Sequence, residues 1–210
     1  MMERVLDGGT AGARAAGGMA MAEAGEGRPI LYLTDAQRTS SALIDALATA
    51  GRVIHVSLDA SLAGAPAQTA EQLLQQVALL KLERCDVIAH SAFANAALAF
   101  AAQAGEGTVE ALVLLSPPDL ADAELHKGDV DPAAVKCPVM AVFGTRDLAS
   151  PPSLGAGYRQ ALPQCHLMFV YDATRDMEIE RPQAVAAIIR EFLAAKERFI
   201  VTTRNGKIYP

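Results

Sequence analysis

The stretch 85–103, CDVIAHSAFANAALAFAAQ, constrains the fold of this chain more than any other. It opens with a short apolar run, Val87-Ile88-Ala89, and continues as an Ala-rich segment carrying Phe93, Leu98 and Phe100. The run reads as a buried strand and the longer segment as a buried helix. Between them His90-Ser91-Ala92 leaves room only for an abrupt turn, with Ser91 at its tip. The small side chains of Ala89, Ala92 and Ala94 let the two backbones approach there.

The same alternation runs through the rest of the chain. Strand-type runs fall at 30–33, 53–58, 109–115, 139–143 and 166–170, with an edge strand at 19–23. Helical patterns lie between them. One starts near Thr39 or Ser40 and carries Leu43, Ile44 and Leu47; a second, capped by Thr69, carries Leu73, Leu74, Val77 and Leu80. A third covers 153–162, and the last, 182–196, places Val185, Ile188, Ile189 and Phe192 on one face. Near-continuous apolar strands separated by helices predict an α/β fold with a mostly parallel sheet covered on both faces. Ligands of such sheets collect at the carboxyl ends of the strands. The loops at Thr34-Asp35, Asp59, Ser91, Ser116, Asp147 and Arg175 are therefore expected to line one edge.

Hydrophobic residues make up 51% of the 210-residue chain, enough for one sizeable core, and with no Trp that core must be aliphatic. A net charge of −6 argues against nucleic acid or an anionic membrane as partner. Three cysteines with no metal spacing read as free thiols of a reducing cytoplasm, and no cofactor is expected. The apolar segment 87–102 is interrupted by His90, Ser91 and Asn95 and is too short to span a membrane. The Gly/Ala-rich residues 1–18 make a poor signal peptide and read as a weakly ordered or edge-strand segment. No glycine pair sits between a strand and a helix, so a dinucleotide fingerprint is not supported. Residues 19–197 form the domain. The tail, 198–210, contains Asn205-Gly206 between strand-forming residues and predicts a β-hairpin, packed on the domain edge or on a second copy of the chain.

The order of these pieces resembles the α/β-hydrolase superfamily. Gly25-Glu26-Gly27-Arg28-Pro29 with Ile30-Leu31-Tyr32-Leu33 is similar to its second-strand turn and third strand. Asp86-Val87-Ile88-Ala89-His90-Ser91-Ala92-Phe93-Ala94 is similar to its nucleophile elbow, with Ala89 and Phe93 in the two glycine positions. The run from Cys137 through Phe143-Gly144-Thr145-Arg146-Asp147 looks like the strand and loop carrying its acid, and Glu180-Arg181-Pro182 like its ending. The resemblance covers about residues 19–195 and implies a lid that is minimal or absent, since only 119–136 stands in its place.

By that resemblance Ser91 is the nucleophile, Asp147 the acid, and the N–H groups of Ala92 and Ala36 the oxyanion donors. The base position, five residues before the Glu-x-Pro piece, holds Arg175, and no shift within 171–181 recovers a histidine. Arginine keeps its proton and cannot serve as a base. An Arg175–Asp147 ion pair is the expected substitute. Thr34-Asp35 stands where the family has His-Gly, placing a carboxylate beside the oxyanion position or, equally, capping the next helix. The missing glycines argue against a strained turn at Ser91. Among the other histidines, His90 packs behind the elbow, His55 and His166 lie in strands, and His126 is the one rescue candidate, on the segment that stands in for the lid. The resemblance thus implies a hydrolase fold with a degenerate triad. Three readings stay open: impaired serine-hydrolase chemistry on a small ester or thioester with a relocated base, a non-catalytic ligand-binding module, and an assembly role through the tail as a homo-oligomer.

Overall fold

The computed structural model describes residues 14–15, 18–120, 131–199 and 207–209. Strands β1 (Arg14–Ala15), β2 (Met19–Ala24), β3 (Pro29–Asp35), β4 (Arg52–Leu58), β5 (Cys85–His90), β6 (Val109–Leu115), β7 (Val139–Gly144), β8 (Cys165–Val170) and β9 (Lys207–Tyr209) form one sheet. Its order is β1-β2-β4-β3-β5-β6-β7-β8-β9. From β4 to β9 every pairing is parallel, and β1 and β2 add antiparallel strands at one side.

Helices α1 (Ser41–Ala48), α2 (Pro66–Leu79), α3 (Ala94–Gln103), α4 (Gly155–Ala161), α5 (Met177–Glu180) and α6 (Pro182–Ala195) cover the sheet. Strand side chains alternate between two apolar layers. Leu31, Leu33, Val87 and Ala89 face a cluster with Leu73 and Val77 of α2, Leu98 of α3 and Tyr158 of α4. Tyr32, Ile88, Val113 and Val142 face the other, with Leu43 and Leu47 of α1 and Ile188, Ile189 and Phe192 of α6. Burial on both faces is why the sequence shows unbroken apolar strands rather than alternation.

Two helix starts differ in their capping. Ser40 caps α1 as expected, its Oγ accepting from Leu43 N at 3.2 Å. Thr69 caps nothing. Pro66, with its preset φ, starts α2 one turn earlier, and the buried Thr69 Oγ1 donates to Leu62 O and Ala65 O. The first arm and turn of the expected tail hairpin lie outside the described residues, and Lys207–Tyr209 lies parallel along β8.

The amino ends of the strands carry an ion cluster. Asp86, buried at the start of β5, accepts from Arg28 at 2.7 Å, and Arg28 also pairs with Glu110. Lys196, following α6, lies 2.7 Å from Glu110 and 3.8 Å from Asp86, and Arg84 lies 3.3 Å from Glu110. Burial outweighs the Arg28 charge and pushes the Asp86 carboxyl up to about 7. A cavity of about 710 Å³ opens beside the cluster, lined by Lys136, Cys137, Lys196 and Glu197 among others. All three cysteines are free. Cys85 is fully buried, and desolvation raises its thiol to about 12.

Candidate functional site

The register places Ser91 and Ser116 side by side at the carboxyl edge, because His90 pairs with Leu115 in the β5–β6 ladder. Both residues have positive φ, 50° at Ser91 and 45° at Ser116. An L-residue rarely adopts this conformation, so Ser91 sits on the strained strand-to-helix turn that the missing glycines had argued against. The surroundings account for the difference. Ala89 is small enough for the sheet, and the Phe93 ring is buried in the cluster with α2 and α3 rather than crowding the turn. A single 3₁₀ turn, Ser91–Phe93, leads into α3. Ala92 N–H lies in that first turn, where a helix offers no internal acceptor.

Arg175 comes to this turn from the loop after β8. Its backbone carbonyl accepts from His90 Nε2 at 3.0 Å and, more weakly, from Ser116 Oγ at 3.4 Å. Its guanidinium reaches forward, and Nη2 donates to Ser91 Oγ. Nε is buried and has no hydrogen-bond partner.

The expected Arg175–Asp147 ion pair does not form. Asp147 is buried, and its Oδ1 already accepts the N–H groups of Ala149 and Ser150, both at 2.9 Å, in a turn of its own loop. Its Oδ2 is buried without a partner. The loops still meet through their backbones. Arg146 N donates to Ala173 O at 2.9 Å, and a Cβ on Gly144 would stand 2.4 Å from that same oxygen. Glycine at 144 is what lets the Asp147 loop approach the Arg175 loop so closely.

The segment after β3 is committed to structure. Thr34 Oγ1 and His55 Nε2 are 2.7 Å apart, both residues buried, and desolvation lowers the His55 pKa. Asp35 Oδ1 accepts from Gln37 N at 2.8 Å in a turn of its own loop; it does not cap the next helix, whose cap is Ser40. Ala36 N–H donates to Leu58 O at 2.9 Å. That bond corrects its expected role as an oxyanion donor, since the N–H is spent on the neighbouring strand's carbonyl. His126 lies outside the described residues.

Several members of the site had no signal in the sequence. Glu178 is buried, with Oε2 3.3 Å from His90 Nε2, while its backbone oxygen accepts from Ser40 Oγ at 2.6 Å. Arg38 pairs with Asp176. Tyr32, buried with no partner for its hydroxyl, has its pKa raised by desolvation and then by the Glu178 charge. His90 packs behind the elbow as expected, and its ring also bonds the Arg175 carbonyl. Among the described residues no cluster of three His, Cys, Asp or Glu side chains could hold a metal, and no helix is long and apolar enough to cross a membrane.

No protein-family model matches the sequence, and a search of curated proteins finds no match. Solved structures match throughout the fold. The chain is similar to an α/β-hydrolase enzyme from the metagenome of Mar Chica lagoon sediments in Morocco, at 18% identity and a TM-score of 0.71, covering 86% of this chain and 97% of that one. It is similar to the enol-lactonase of Burkholderia xenovorans at 19% identity and a TM-score of 0.71, covering 88% of this chain and 100% of that one. A thermophilic esterase from Thermogutta terrifontis matches at 18% identity and a TM-score of 0.69, covering 84% and 93%. This chain has the α/β-hydrolase fold.

Proposed function

We propose that this chain uses the α/β-hydrolase fold to hold a small ligand at the Ser91 edge without the standard serine-hydrolase attack. The observation that carries the reading is the Arg175 guanidinium donating to Ser91 Oγ. Acyl transfer by a serine needs a neighbouring base that takes the hydroxyl proton. Arginine is fully protonated at any working pH, so it offers Ser91 a donor and no acceptor. The donated bond occupies an oxygen lone pair that a nucleophile would use. Asp147, at the family's acid position, orients no imidazole among the described residues and bonds its own loop instead. The similar structures include an esterase and a lactonase, which favours a small carbonyl-containing ligand class.

The test is exposure of the purified chain to a fluorophosphonate probe, read by intact mass, with Ser91→Ala and an active serine esterase as controls. The expected result is no Ser91-dependent adduct while the esterase is labelled to completion. An adduct present in the wild type and lost in Ser91→Ala overturns the reading and returns the alternative, a hydrolase with its base relocated to His126.

A further inference from the structure

We infer that the ligand held at this edge carries a carboxylate and that Arg175 is the group that receives it. The inference rests on the non-hydrolytic reading above and names what would occupy the site.

Arg38, Arg146 and Arg181, the other arginines on the loops of this edge, each pair with a carboxylate: Asp176 for the first and Asp172 for the other two. Arg175 pairs with none among the described residues, although Asp176 lies on its own loop and Asp147 on the adjacent one. Its Nη2 is given to a neutral hydroxyl, and its buried Nε to nothing. A half-buried guanidinium left in this state is costly unless an acceptor arrives. The corresponding arginine at the other end of the sheet, Arg28, also leaves Nε unpaired, but its terminal nitrogen meets two carboxylates.

Donor geometry adds to this. With its oxygen accepting from Arg175, the Ser91 hydroxyl has its own hydrogen left to donate. Ala92 N–H follows it in the first helical turn. The side chain of Arg175, the Ser91 O–H and the Ala92 N–H are thus donors gathered at one strained turn. A planar two-oxygen anion matches a guanidinium fork and can accept from the neighbouring donors as well. A neutral ester offers one good acceptor and leaves the cation uncompensated. Charge also limits the anion. The buried carboxylates of Asp147 and Glu178 flank the loop that carries Arg175, so a singly charged carboxylate is favoured over a phosphate dianion.

The experiment titrates the ¹⁵N-labelled full chain at neutral pH with sodium acetate, butyrate and benzoate. The methyl esters of the same acids, inorganic phosphate and sodium chloride at matched ionic strength run in parallel. The readouts are the arginine Nε–Hε resonances and the Ala92 amide. At least one acid is expected to saturate with a dissociation constant below about 10 mM. Arg175→Gln is expected to weaken it by about tenfold or more, and Arg175→Lys by less. Arg175→Lys keeps the charge, so it serves as the folded comparison if the glutamine variant does not fold. The inference is overturned if no acid saturates, if the methyl esters bind as tightly, if phosphate binds more tightly than every acid, or if the folded Arg175 variants bind like wild type. Probe labelling judges the attack by Ser91 and the titration judges the ligand, so the two readings fail separately.

Discussion

The two edges of the sheet treat charge in opposite ways. At the amino edge Arg28, Lys196 and Arg84 converge on Asp86 and Glu110, and every one of these cations has a carboxylate within 4.0 Å. At the carboxyl edge, among the described residues, Arg175 has no carboxylate partner, Asp147 keeps an unpaired buried oxygen, and Ser91 and Ser116 stand at positive φ. The amino edge joins the end of α6 to the starts of β5 and β6 and pairs its cations, although Arg28 Nε stays unbonded and Lys196 itself has a φ of 49°. Both edges carry positive-φ residues, so what separates them is the pairing of charge: among the described residues the cation of the carboxyl edge is left without a carboxylate. Local rules broken without internal compensation are what a functional site leaves behind. A cavity of about 710 Å³ lies beside the amino-edge cluster.

The contrast can be broken most forcefully at Gly144. A Gly144→Ala side chain would meet Ala173 O at 2.4 Å and Thr174 O at 2.5 Å. We expect a loss of about 3 kcal/mol in urea unfolding, because both obstacles are backbone atoms. A loss under about 1 kcal/mol would show that the two loops are not tightly docked.

Next in size, Arg175→His should turn the ligand edge toward catalysis. An imidazole there could take the Ser91 proton, with Asp147 Oδ2 free to orient it. Fluorophosphonate labelling is expected to rise by about 100-fold above neutral pH, where the ring is uncharged. A labelling rate equal to wild type would mean that the Asp147 loop cannot support a base.

The amino edge is probed through pH. The Asp86 carboxyl is raised to about 7 in the folded chain, above its unfolded value, so the native state binds more protons between those limits. Its contribution is fully present below the unfolded pKa and is lost as pH rises through the folded one. Stability should therefore fall from about pH 4 to about pH 7 by a few kcal/mol on this account, about 1.4 kcal/mol for each pH unit between the two pKa values, and Asp86→Asn should flatten that slope. An unchanged slope in the variant would assign the dependence to other groups.

The smallest effect belongs to Ser40→Ala. It removes the α1 cap and the bond to Glu178 O and should cost about 1 kcal/mol. Calorimetry showing no change would mean that water replaces both bonds.

Much of this architecture could be read from the chain because its strands are buried on both faces and its helices are amphipathic. Ser91 was legible as the turn residue because one short strand and one Ala-rich helix leave it no other place. Arg175 was legible through the spacing to Glu180-Arg181-Pro182. Its partner was not. Which acceptor a guanidinium chooses depends on whether Asp147 is already bonded within its loop, and that is a property of three-dimensional turn geometry. Ala36 shows the same limit, because its N–H is claimed by Leu58 from another strand. The amino-edge cluster was invisible for a simpler reason. Arg28 and Asp86 are 58 residues apart, and Lys196 and Glu110 are 86. The tilt of Phe93 into the core, which frees the turn at Ser91, likewise depends on neighbours contributed by α2 and α3.

The burial of Cys85 gives the molecule a built-in clock. A thiol held fully out of solvent, with ionisation pushed up to about 12, does not react with a maleimide until its strand opens. Because β5 pairs on both sides at the centre of the sheet, its opening approaches global unfolding. The alkylation rate of Cys85, resolved by peptide mass, therefore reports how often the whole domain comes apart under native conditions. It does so without denaturant and in the presence of any ligand added at the opposite edge.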